Sequence, residues 1–165
     1  MLLVASSLNR GPRDLLDDVL TDLLGVAPRI TRDCPHCDEQ HGKPVVDHPT
    51  LHVSTSFANG LSLVAVTDAG PVGVDVERAD AAGFPGFDGV ALGPGETGDR
   101  AHLWTRKEAV LKATGEGLRT DPTTVQVMGD REPARGAELY DVPVLDGWVA
   151  SLAVITDLRP ELEVR

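Results

Sequence analysis

"GPVGVDVERAD", residues 70 to 80, is the stretch on which the reading of this chain turns. Valine at every second position marks a strand, whose period of two sends Val72, Val74 and Val76 to one face and Gly73, Asp75 and Glu77 to the other. Two carboxylates thus share a side, roughly 6 to 7 Å apart along the strand, and like charges that close repel unless solvent or a cation lies between them.

Around this strand the chain repeats one order of elements. Before it, "LLVASSL" (2–8) reads as a short strand. "GPRDLLDDVLTDLLG" (11–25) reads as a helix, with apolar residues at helical spacing, Pro12 at its start and Gly25 at its end. "LHVSTSF" (51–57) and "LSLVAVT" (61–67) read as strands joined at Asn59-Gly60, a hairpin signal. After it come a helix over "HLWTRKEAVLKATG" (102–115), closed by Gly115, and strands over "TTVQVM" (123–128) and "GWVASLAVI" (147–155). The order predicts an α+β fold of two pseudo-symmetric strand-helix-strand-strand lobes, 1–70 and 71–165, sharing a seam in one compact pseudo-dimeric unit. Between Asp80 and Asp99 the chain is dense in glycine and proline, which predicts a loop or a poorly formed helix acting as a mobile cover.

Composition narrows the classes of function. The 165 residues suit one domain or two small lobes with a common core. A net charge of −11 argues against bulk attraction to nucleic acid or to an anionic membrane, so a phosphate-bearing ligand would have to be met by local cations. The opening "MLLVASSLNR" lacks the basic leader and long apolar run of a secretory signal, and no run approaches a membrane span of about 20 residues, so a cytoplasmic location is expected. The two cysteines stand in "CPHC" (Cys34, Cys37) near His36, His41 and His48. Structural zinc needs four ligands and the usual second pair is missing, so these read as reduced loop cysteines rather than as a zinc-built interaction module.

On the second helix Glu108 and Lys112 are four apart and share a face, with Trp104 one turn earlier, while Leu103, Val110 and Leu111 can pack inward. Taken alone, Glu108 and Lys112 are an ordinary surface pair worth tenths of a kcal/mol. If the strand packs on the helix, Asp75, Glu77 and Glu108 meet, and an all-oxygen trio of that kind suits Mg²⁺ or Mn²⁺. Lys107 and Lys112 would then supply positive charge for phosphate oxygens.

"VGVDVE" followed by "WTRKEAVLKATGEGL" resembles the paired signature of the 4'-phosphopantetheinyl transferases, in particular the surfactin-type, pseudo-dimeric branch. Weaker matches run toward the N-terminus: "RDLLDDVL" (13–20), "GKP" (42–44) and "LHVSTSFANGLSLVAV" (51–66). The resemblance implies a two-lobed fold with coenzyme A in the cleft. It also implies transfer of the 4'-phosphopantetheine arm to a serine hydroxyl of an acyl, peptidyl or aryl carrier protein, releasing adenosine 3',5'-bisphosphate. Asp75, Glu77 and Glu108 fall on the metal-ligand positions, Glu108 also on the proposed general base, and Lys112 on the pyrophosphate contact. Arg13, Lys43, Ser54 and Thr55 match positions that hold the nucleotide end of coenzyme A.

The chain departs from that pattern in three places. Thr55 stands where the family usually has histidine, only twelve residues precede Arg13, and the 80–99 loop is compressed, with Glu96 its one candidate acid. Arg10 is a candidate to replace the missing basic contacts. A second reading of the same residues is a relative that binds coenzyme A or a carrier without transfer. Because carrier proteins are commonly acidic, as this chain is, docking is expected through apolar groups such as Phe84 and Phe87, with weak salt dependence. Two fused lobes predict a monomer.

Overall fold

The computed structural model describes residues 1–32, 39 and 42–165, so the reading of Cys34 and Cys37, with His36 and His41, lies outside the described residues. Along the chain run β1 (Leu2–Leu8), α1 (Pro12–Leu24), β2 (Ile30–Thr31), β3 (Val45–Val46), β4 (His52–Ala58), β5 (Leu61–Thr67) and β6 (Val72–Arg78). There follow α2 (Phe87–Ala91), α3 (Arg100–Thr114), β7 (Arg131–Glu132), β8 (Ala137–Asp141), β9 (Trp148–Ile155) and β10 (Glu163–Val164). The result is a mixed α+β structure.

One sheet has the order β10-β1-β5-β4 and another the order β6-β9-β8-β7. In both, three long strands lie first-third-second, antiparallel, with a helix between the first two in the chain. The tail crosses back, with β10 pairing parallel to β1.

Local chemistry explains the elements. Helix α1 starts on Pro12, buries Leu15, Leu16 and Leu20, and ends at Gly25, whose φ of 72° lets its amide donate back to the Thr21 carbonyl. Asn59 and Gly60, with φ of 44° and 92°, make the tight turn between β4 and β5. At the start of α3 the Asp99 side chain accepts from the His102 amide, satisfying one of the helix's orphan donors. Leu103, Val110 and Leu111 are buried on this helix.

The two large sheets meet in one apolar cluster, with Leu2, Val4, Leu63 and Ala65 against Val72, Val74, Leu152 and Val154. Edge strands β4 and β6 lie side by side there. Side chains replace the ladder between them: the Ser54 hydroxyl accepts from the Val74 amide at 3.1 Å and the Ser56 hydroxyl from the Val76 amide at 3.3 Å. Buried edge amides that would cost about 1–3 kcal/mol each unpaired are thereby satisfied.

One sequence expectation is corrected. Residues 123–128 do not form a strand; a 3-10 turn over Pro122–Thr124 leads into an irregular segment. Val125 and Val127 are buried as alternation requires, but side chains take the bonds a neighbouring strand would supply. Lys107 donates to the Val125 carbonyl, Arg106 to the Val127 carbonyl, and the Val127 amide donates to Glu96. The strand pairing with β9 is β8 instead. The 80–99 segment, read as a loop or a poorly formed helix, contains the five-residue α2, and the Glu96 carboxylate also accepts from the Gly93 amide at 2.7 Å.

Candidate active site

The site is built where β6 crosses α3. Gly73 makes the crossing possible: a Cβ there would lie 1.9 Å from the Ala109 carbonyl oxygen and 2.5 Å from the Ala113 amide nitrogen. With no side chain in the way, the strand lies against the helix and the next same-face residue, Asp75, meets Lys112. The Asp75 Oδ1 accepts from Lys112 Nζ at 2.6 Å and from the Ser56 hydroxyl at 2.9 Å. Lys112 also donates to the Val74 carbonyl and to Ser56, each at 3.1 Å, so its three protons are engaged. Asp75 Oδ2 and Glu108 Oε1 are buried with no hydrogen-bond partner among the described residues.

Asp75, Glu77, Glu108 and Lys112 line one open cavity of about 480 Å³, walled also by Thr55, Ser56 and Trp104. Burial is the first cause that pushes all three carboxyls above their ordinary range. Asp75 further raises Glu77 and Glu108, Glu77 raises Glu108, and Lys112 opposes the rise at each. Three acids face one ammonium. Among the described residues no three His, Cys, Asp or Glu side chains are gathered closely enough to cage an ion as they stand.

The cations of the first half of the chain, Arg13, Arg32 and Lys43, do not themselves line this cavity. Lys43 reaches across to donate to the Ala113 carbonyl near the end of α3 at 2.9 Å, and burial lowers its pKa to about 8. Arg32, which no sequence pattern singles out, donates from Nη2 to Thr55 Oγ1 at 2.9 Å. Burial, and then the charge of Arg13, hold the Arg32 guanidinium below its ordinary value. Arg10 is committed elsewhere, to Asp18 and the Asp14 carbonyl. Ser54 is buried in the seam and holds the Val74 amide rather than lining the cavity.

Lys107 is a correction. Its side chain is fully buried, 2.5 Å from the equally buried Glu96, and donates to the Pro122 and Val125 carbonyls at 2.8 and 2.7 Å. It cannot meet a ligand in the cavity. Phe87 is likewise buried, and only Phe84 of the two phenylalanines is exposed. Phe84, Phe87 and Trp104 stack edge to face beside an apolar hollow of about 230 Å³ that shares Glu77 and Trp104 with the acidic cavity.

Residues 71–151, which carry β6, α3 and the first half of β9, match the 4'-phosphopantetheinyl transferase superfamily. The matched segment is just under half of the chain. A curated relative, the 4'-phosphopantetheinyl transferase psf-1 of Bacillus pumilus, is 37% identical over 92 residues. The aligned part is 48% of this chain and spans 39% of the relative's length.

The matched segment holds all three acids and Lys112, whereas Thr55, Arg32, Arg13 and Lys43 come from outside it. Two of these placements carried readable signals. Gly73 shares a face with Asp75, where a missing Cβ signals close approach of another backbone. Lys107 is flanked at helical spacing by Leu103, Val110 and Leu111, which places it on the buried stripe. Nothing in the sequence paired it with Glu96.

Proposed function

We propose that this protein transfers the 4'-phosphopantetheine moiety of coenzyme A to a serine hydroxyl of an acyl or peptidyl carrier protein, with Mg²⁺ or Mn²⁺, releasing adenosine 3',5'-bisphosphate. One observation carries the reading: two buried carboxylate oxygens, Asp75 Oδ2 and Glu108 Oε1, have no partner among the described residues beside a cavity that also receives Glu77 and Lys112. Unpartnered buried carboxylate oxygens are costly. An all-oxygen donor set with crowded negative charge fits a hard divalent cation, and Asp75, Glu77 and Glu108 are the residues that would hold it. When bound, such an ion supplies charge neutralisation for a diphosphate.

The chain's own residues account for the rest. The serine oxygen forms a bond to the phosphorus bearing the pantetheine arm, and the bond from that phosphorus to the bridging oxygen breaks. The electron pair leaves with adenosine 3',5'-bisphosphate. Glu108 receives the hydroxyl proton, directly or through a water, because a serine hydroxyl is a weak nucleophile at neutral pH. Lys112 meets the diphosphate by exchanging one of its present bonds to Asp75, Ser56 or the Val74 carbonyl. Catalysis of this kind is mostly positioning and charge stabilisation.

The same reading takes residues 1–70 and 71–165 as pseudo-symmetric halves of a monomer, supported by their matching strand orders. It places the protein in the cytoplasm; no helix among the described residues is long and apolar enough to cross a membrane. The test is intact mass spectrometry of apo carrier domains incubated with the protein, coenzyme A and each divalent ion. A metal-dependent gain of one phosphopantetheine, lost in Asp75→Ala and Glu108→Ala, is expected. Coenzyme A or carrier affinity with no gain in mass would instead mark a binding protein without transfer.

A further inference from the structure

We propose that Ser56 is a positioning residue for the transfer: its hydroxyl holds Asp75 by Oδ1, so that Oδ2 is the oxygen offered to the cation, and goes on holding it while Lys112 exchanges to the diphosphate. The proposal rests on the metal and diphosphate reading above and names the residue that steadies that centre from outside the matched segment.

Among the described residues, Ser56 is the only one outside 71–151 whose side chain hydrogen-bonds to Asp75, Glu77, Glu108 or Lys112. It stands on β4, buried, and lines the acidic cavity. A hydroxyl has one proton and two lone pairs. Here the proton goes to Asp75 Oδ1 at 2.9 Å, and the lone pairs accept from Lys112 Nζ at 3.1 Å and from the Val76 amide at 3.3 Å. Every bonding position of the oxygen is used, so its direction is fixed.

That fixes Asp75 in turn. Both side chains that bond to it, Ser56 and Lys112, sit on Oδ1, and Oδ2 is left buried with no partner among the described residues. A carboxylate held by one oxygen cannot turn over without giving up those bonds. Lys112 is the partner that the transfer draws away, toward the diphosphate. Ser56 then remains on Oδ1, anchored by the amide of Val76, the residue next to Asp75 in the chain, so the anchor moves with the carboxylate it steadies. Groups that orient a metal ligand without touching the ion typically carry about 10- to 100-fold in metal affinity or activity.

Ser54 supplies the comparison. Two residues earlier on the same face of β4, it accepts from the Val74 amide at 3.1 Å as Ser56 does from Val76, but among the described residues it bonds to none of the three acids and not to Lys112. The two serines share the role in the seam and differ in the contact with the centre.

The test measures Mn²⁺ binding by electron paramagnetic resonance at saturating coenzyme A, carrier conversion kinetics and thermal unfolding for the wild-type protein, Ser56→Ala, Ser56→Thr and Ser54→Ala. Both alanine variants should lose similar thermal stability. Only Ser56→Ala should weaken Mn²⁺ binding, by about 10- to 100-fold, and it should lower kcat without raising KM for coenzyme A, since Lys112 then has one bond fewer to give up. Ser56→Thr, which keeps the hydroxyl, should recover most of both losses. If Ser56→Ala does not fold, Ser56→Cys, close in volume and a weaker donor, takes its place with the same expected pattern. Mn²⁺ affinity lowered equally by the Ser56 and Ser54 substitutions, or by neither, would leave Ser56 its seam role alone and overturn the proposal. A raised KM with kcat unchanged would make Ser56 a coenzyme contact and overturn it as well. A wild-type protein that binds no Mn²⁺ and converts no carrier overturns the metal reading beneath it.

Discussion

Replacing Gly73 by alanine tests whether the strand-helix crossing is what assembles the acidic centre. The added Cβ would stand 1.9 Å from the Ala109 carbonyl oxygen, where ordinary contact begins at 3.4 Å, so β6 and α3 must separate by about 1.5 Å. Both nearest neighbours are backbone atoms of a helix buried on most of its faces, so no flexible side chain can yield. Overpacking of this kind costs about 1–3 kcal/mol. It also shifts Asp75 on the strand relative to Glu108 and Lys112 on the helix, and a displacement of about 1 Å at a reacting centre can cost about 100-fold in rate. The assay pairs urea denaturation with the apo-to-holo conversion rate, using Gly89→Ala as control. Gly89 lies in α2, and a Cβ added there would meet nothing within 4 Å, so alanine should be neutral or stabilising by up to about 1 kcal/mol. A Gly73→Ala protein with wild-type urea midpoint and wild-type conversion rate would refute the reasoning.

Two further outcomes follow from the charged groups. Asp75, Glu77 and Glu108 have folded-state pKa values raised by burial and by one another. In the window above the ordinary carboxylate value near 4 the folded state therefore binds more protons than the unfolded one, and metal-free stability should fall as pH rises through the raised values. Chemical denaturation against pH should show that decline, with a shallower slope in Asp75→Asn and Glu108→Gln and relief by millimolar Mg²⁺ at pH 7; a flat profile would contradict it. For the buried Lys107 and Glu96 pair, Lys107→Met or Glu96→Gln alone should cost about 3–5 kcal/mol by stranding the partner, whereas Lys107→Met/Glu96→Leu should recover most of the loss. Equal destabilisation by the single and double variants in thermal unfolding would show that the pair does not act as a unit.

How much of the fold and site is legible in the sequence depends on the range of the interaction. Val72, Val74 and Val76 buried on one face, with Asp75 and Glu77 on the other, follow from backbone geometry within a single strand. The ends of α1 and α3 at Gly25 and Gly115, and the turn at Asn59-Gly60, follow from conformations that only a few residue types adopt readily. Residues 123–128 mislead because alternating valines report burial, not pairing, and here Lys107, Arg106 and Glu96 supply the hydrogen bonds. Strand β8 escapes a pattern reading because Glu138 and Asp141 break its apolar alternation, and Glu138 is neutralised only in the fold, by Arg131 and Arg159.

The amino-acid sequence by itself determined which residue types share a face of β6 and of α3, and hence that three acids and one lysine could meet. Only the tertiary structure decided the partners: Lys112 on Asp75, Lys107 on Glu96, Arg32 on Thr55. The reason is physical. Periodicity is a property of one element, but whether a charge meets water, a ligand or a buried counter-charge depends on what packs against it from elsewhere in the chain.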